Sequence, residues 1–184
     1  MKHLFFHLVA ISFLLGGKSY AQISVVGSPI NVDLGIGGGV SIPNGTFSDR
    51  NNSGYHAGAK ARVHGLMPLN IIASGYYNRL LNKSGGESDI ATMLGAGIEL
   101  PVPSVIVNPY FGVDALWNRY TISNVEIKTR IGLDVGAGVD FSIPGLGSFD
   151  TSIKYQMFNL FGKDDGEDTL SQITGNVTLM FSLF

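Results

Sequence analysis

The sequence contains no cysteine. That excludes disulfide staples, thiolate metal sites and an N-terminal lipid anchor on cysteine, so the fold must be stable through its packing or by closing on itself. It also lacks a strong charge bias. A net charge of −2 gives no basic surface to hold nucleic acid. Beyond residue 22 no apolar run approaches the roughly 18 residues that a membrane helix needs. Internal repeats at solenoid periods are also missing. Yet mean hydropathy is positive, at +0.23.

The first residues account for part of that hydropathy. Lys2 and His3 precede an apolar stretch from Leu4 to Leu15, and small residues follow to Ser19-Tyr20-Ala21. This is the pattern of a secretory signal, with cleavage expected after Ala21. The organisation expected is therefore a signal at 1–21 and one domain at 22–184.

Within that domain the apolar signal has a period of two. Over 131–141 the odd positions are Ile131, Leu133, Val135, Ala137, Val139 and Phe141, against Arg130, Gly132, Asp134, Gly136, Gly138 and Asp140. A helix cannot produce this pattern; a strand with two unlike faces does. Residues 32–42 and 173–183 repeat it. Weaker alternation at 55–65, 70–80, 90–100, 105–117 and 149–161 brings the expected strands to eight, most of them long enough to cross a bilayer at a tilt. The phase of 70–80 is blurred by Ile71 and Ile72.

The expected connections alternate between short turns at Met67-Pro68, Pro101-Val102-Pro103 and Ile143-Pro144-Gly145 and longer polar segments at 43–54, 81–89, 118–128 and 162–172. That rhythm suits an all-β fold: a single eight-stranded antiparallel up-and-down transmembrane β-barrel with short periplasmic turns and longer extracellular loops. A soluble β-sandwich or lipocalin-like barrel is the rival, because an apolar face can meet a core as well as lipid.

Three features favour the membrane. The face opposite the apolar one carries Asp33, Lys60, Arg62, Glu99, Asp114, Arg130, Asp134, Asp140, Asp150 and Lys154. Aromatics (Tyr76, Tyr77, Tyr110, Trp117, Phe141, Phe149, Phe161) gather near strand ends, as an interfacial girdle requires. The chain stops on a strand ending in Phe184.

The run Ile42-Pro43-Asn44-Gly45-Thr46-Phe47-Ser48-Asp49, followed by Gly54-Tyr55, resembles the first loop of small OmpX/OmpA-like outer-membrane barrels. Residues 110–120 (YFGVDALWNRY) and 154–163 (KYQMFNLFGK) resemble two of their strands. The resemblance implies a monomer in a Gram-negative outer membrane, in contact with its lipid and lipopolysaccharide, with no extracellular partner specified. Phe181, Leu183 and Phe184 would be the C-terminal signal read by the barrel assembly machinery, although Ser182 stands where that signal usually has its second aromatic.

The ten inward charges are expected to form a structural ion-pair network, with Lys60 and Lys154 pairing Asp114 and Asp134 near mid-height. Eight strands leave an interior that side chains just fill. The function expected is therefore non-catalytic: a packed polar lumen with a structural or surface-interaction role, and no cofactor or metal. The alternatives are passage of small apolar molecules across the outer membrane and a lipid A-modifying enzyme. Such an enzyme would need His56 beside a serine and a carboxylate on the lipid-facing side. His64 should line the periplasmic rim. Asp164, Asp165, Glu167 and Asp168 form an acidic loop without the spacing of a calcium site.

Overall fold

The computed structural model describes residues 23–25, 28–64, 68–102, 107–122, 126–143 and 147–183. The expected signal at 1–21, parts of the three turns, and Phe184 of the expected C-terminal signal lie outside them.

The chain folds as a single meander. A short strand, β1 (Ile23–Val25), pairs only with the start of β2 (Ser28–Asn44). A one-turn helix, α1 (Thr46–Arg50), leads into β3 (Asn51–His64). Then follow β4 (Asn70–Asn82), β5 (Asp89–Pro101), β6 (Asn108–Ile122), β7 (Glu126–Ile143), β8 (Gly147–Phe161) and β9 (Ser171–Ser182). Each pairs antiparallel with the next, and β9 pairs back onto β2. The closed, eight-stranded, up-and-down barrel is thus β2–β9, and no strand of it is left with an open edge.

The register fixes the geometry. Ladder partners traced from Asp33 run through Arg62, Ile72, Gly97, Asp114, Asp134, Gln156 and Gln172, and return to β2 at Pro43. That stagger of ten residues over eight strands tilts them by about 40° to the barrel axis. Along the axis each residue then climbs about 2.5 Å, and each step along a ladder row about 3 Å.

The two faces separate as the alternation requires. Leu34, Ile36, Val40, Ile71, Leu94, Ile98, Phe111, Val113, Trp117, Ile131, Val135, Ile153, Ile173 and Val177 are all exposed on the outer wall, whereas the inner face is buried and mostly polar, with apolar residues such as Leu80, Met93 and Phe158 toward the extracellular end. In water an apolar belt that surrounds the whole molecule would drive association. In a bilayer it is the lipid contact, and the closed ladder satisfies every strand.

Two expectations need correction. Tyr76 and Tyr110 do not join the girdle: they share the parity of inward residues, and Tyr110 is buried against the lumen carboxylates. Outward aromatics are instead Tyr55, Tyr77, Phe111, Trp117, Phe141, Phe149, Tyr155 and Phe161. The polar segments are also shorter than their composition suggests, because the ladders run into them. At 118–128 only 123–125 separate β6 from β7. In 43–54, Gly45 takes a left-handed φ of 57°, and α1 then turns Phe47 into the barrel mouth.

Closure makes a direct prediction. In mild detergent the unboiled protein should migrate ahead of the boiled one on a gel, because the closed ladder resists opening until heated. Identical mobilities would contradict a closed barrel.

Candidate functional site

The site this sequence builds is the lumen, and it is layered. All ten charges expected to face inward do so, but at different heights. Near the periplasmic end, Lys60 Nζ bonds Glu99 Oε1 at 2.5 Å and Asp150 Oδ2 at 2.7 Å. Arg62 spreads its fork over Glu99 (2.7 Å), Asp140 (2.5 Å) and Asp150. Tyr110 donates its hydroxyl to Asp150 at 2.6 Å, and both cations lie over its ring, at 5.0 and 5.3 Å from the centroid. Gly138 lies directly under that ring, where any Cβ would collide with it.

Higher up, Lys154 bonds Asp114 at 2.6 Å and Asp134 at 3.3 Å. A chain of amides continues across the barrel from Asp134 to Gln156 (3.0 Å), Gln172 (2.7 Å) and Asn78 (3.0 Å). Lys60 therefore does not share Asp114 and Asp134 with Lys154. The stagger is the reason: it sets Lys154 level with Asp114 and Asp134, and Glu99 of β5 and Asp150 of β8 level with Arg62, about 4 Å below the Lys60 Cα, so that Lys60 reaches down to them.

His56 is buried and turned inward. With Asn176 Nδ2 donating to Thr174, Asn176 Oδ1 takes the Nε2 proton at 2.6 Å, so Nδ1 accepts the Ser41 hydroxyl at 2.9 Å. Ser41 is wholly buried. Among the described residues no carboxylate bonds this histidine, and the group faces away from lipid. Ser48 does not approach it; its hydroxyl bonds the Gly45 carbonyl at 2.7 Å. His64 lies at the periplasmic rim, bonded to Asp33 (2.6 Å) and Asn70 (3.1 Å).

The extracellular end is closed by apolar side chains. Phe47, Leu80, Ala91, Met93, Tyr120 and Phe158 form a buried cluster against which Leu170 packs, with Phe47 and Phe158 edge to face at 5.6 Å. The space left among them, about 10 Å³, is no larger than one water. Phe47 and Leu170 come from the two segments flanking β2 and β9, a convergence that the alternation alone does not signal.

Over this plug lies the acidic loop between β8 and β9, and two of its acids, Glu167 and Asp164, are used internally. Glu167 accepts from Arg130 (2.9 Å), Tyr120 (2.8 Å), Asn159 (2.8 Å) and the Asp164 backbone N–H (3.0 Å). Asp164 takes a second bond from Arg130 at 2.6 Å. Arg130 thus leaves the lumen network and ties the outer loop down. Partial burial pushes the Glu167 carboxyl up, but these donors outweigh it and hold the group at about 2.

Sequence and structure comparisons agree with this architecture. Residues 17–181 match the outer membrane protein beta-barrel domain, and the chain belongs to that family. Its fold is similar to that of Neisserial surface protein A: 83% of this chain aligns with 97% of that one, at 18% identity and a TM-score of 0.56. The Yersinia pestis outer membrane protein Ail, in a phospholipid nanodisc, aligns over 82% of this chain and 99% of its own, at 16% identity and a TM-score of 0.48. No curated protein sequence matches the chain.

Two predictions follow from the layers. Lys60→Met strips one cation from the buried Glu99 and Asp150 and should cost about 3 kcal/mol. That cost is read as a lower urea midpoint for unfolding in micelles; an unchanged midpoint would deny the network a structural role. The second concerns pH. Because Glu167 is held below its ordinary value of 4.5, its stabilisation is full above 4.5 and is lost as pH falls through about 2. Pepsin should therefore cut the loop between Phe161 and Leu170 increasingly across that window, and Glu167→Gln should be cut already at its upper end.

Proposed function

We propose that this chain is a non-catalytic outer-membrane barrel that acts as a rigid, non-conducting stake and carries a fixed surface at its extracellular end. The observation behind this reading is the filled lumen: ion pairs at the periplasmic end, an amide chain at mid-height and an apolar plug at the mouth. An eight-stranded barrel has room for side chains and little else. Its role is then structural or one of surface interaction, exercised through Thr46–Arg50, 83–88 and 162–170.

Continuous ladders around the whole wall support this over lateral passage of small apolar molecules. The burial of Ser41 and His56 inside the lumen supports it over lipid A modification. Localisation in a Gram-negative outer membrane fits the family, and delivery by a cleaved signal and the barrel assembly machinery belongs to the same reading, as does a monomeric state.

Reconstitution in planar bilayers tests it. The purified barrel should give no discrete conductance steps, and neither should Lys60→Met. Steps from the unmodified protein would refute the sealed lumen and make the protein a channel.

A further inference from the structure

The buried charges of the lumen do not cancel. Between the periplasmic rim and the apolar plug, the described residues place five carboxylates (Glu99, Asp114, Asp134, Asp140, Asp150) against three cations (Lys60, Arg62, Lys154). The two layers bear this shortfall differently. Asp140 stands at the periplasmic opening with its side chain 13% exposed, so water shares its charge. The upper layer has no such outlet. Asp114 and Asp134 are 1% and 2% exposed, and among the described residues Lys154 is the one cation bonded to either.

The register forces this pair together. Asp114 of β6 and Asp134 of β7 are direct ladder partners and both point inward. Partners of that kind have Cα atoms about 5 Å apart. Like charges directly opposite one another repel, and the repulsion grows in a medium of low dielectric. Lys154 crosses Gly136, where any Cβ would strike its side chain, and meets both carboxylates at Oδ2. Gln156 also donates to Asp134 Oδ2.

The opposite oxygen of each carboxylate, Oδ1, is buried and accepts no hydrogen bond. A buried anion left with open acceptor sites is costly, so these two oxygens need a positive partner. The wall beside them has room. Asp114 Oδ1 leans over Gly97 of β5, and Ser74 Oγ leans over Gly95, the next inward position. Two missing side chains thus bring a carboxylate oxygen and a hydroxyl to one stretch of wall.

From this we infer that Asp114 and Asp134 bind one monovalent alkali cation as a resident counter-charge. Their Oδ1 atoms are its anionic ligands and the Ser74 hydroxyl a neutral one, the oxygen donors that hard cations take. A single positive charge neutralises the layer, whereas a divalent ion would leave an excess beside the Lys154 ammonium. The ion comes from the periplasmic side, where Asp33 and Asp140 are partly exposed, because the plug closes the other end. It is held and not conducted, so its binding and the bilayer recordings can fail separately.

The test is equilibrium dialysis of the folded barrel in micelles against thallium(I), a potassium-sized probe counted by elemental mass spectrometry. Binding should saturate at one thallium per barrel above protein-free micelles, and potassium should displace it. Asp134→Asn should bind about ten-fold more weakly, the loss of a charged ligand. It keeps the Asp114–Lys154 pair, and the boiling shift verifies that it folds; Asp114→Asn is the second variant and should behave alike. Asp165→Asn, exposed in the outer loop, should match the unmodified protein. Stability gives an independent readout, because a ligand of the folded state stabilises it. The urea midpoint should be higher in potassium chloride than in tetramethylammonium chloride of equal ionic strength, and Asp134→Asn should lose that difference. Undiminished thallium binding by both aspartate variants, or no binding by the unmodified barrel, would overturn the site. So would an infrared carboxylic acid band that Asp134→Asn removes, because the counter-charge would then be a proton.

Discussion

Everything in this molecule depends on how the last strand meets the first. When β9 pairs with β2, the sheet loses its edges, and the ten-residue stagger at that seam sets tilt, radius and the height of every side chain. A smaller stagger would narrow the lumen and move Glu99 and Asp150 away from Lys60. The ion pairs are thus consequences of the seam as much as of the residues that form them.

The lumen then resolves a conflict. Lining a closed space with charges is costly unless each is paired and bonded, and such pairs add little net stability over apolar packing. Here the pairs are multiply shared: Arg62 serves three carboxylates, and Lys154 serves two. Sharing fixes one arrangement of side chains across strands distant in sequence, whereas the outer belt, which faces fluid lipid, specifies almost nothing. What distinguishes this barrel from another with the same greasy exterior is its interior.

That division explains what could be read in advance. The two-residue period reveals which side of the wall a residue occupies, so the inward set from Asp33 to Lys154 is legible without coordinates. Tyr110 is legible too, because it shares parity with the inward Asp114. Tyr76 was harder, because Ile71 and Ile72 blur the phase of β4. The partners of Lys60 were out of reach, since no property of a single strand records the stagger. Nor does the polar composition of 43–54 announce that Phe47 will stopper the mouth; only its contact with Phe158, more than a hundred residues away, makes sense of it.

The stopper has an evolutionary corollary. Of α1, only Phe47 is buried; its other residues face water or the rim. The Phe47 ring and the Arg50–Asp89 ion pair hold the turn in place, so substitutions at Thr46 and Asp49 change the exposed tip without disturbing the wall beneath. Such an arrangement leaves the exposed tip tolerant of substitution while the barrel keeps its sequence constraints.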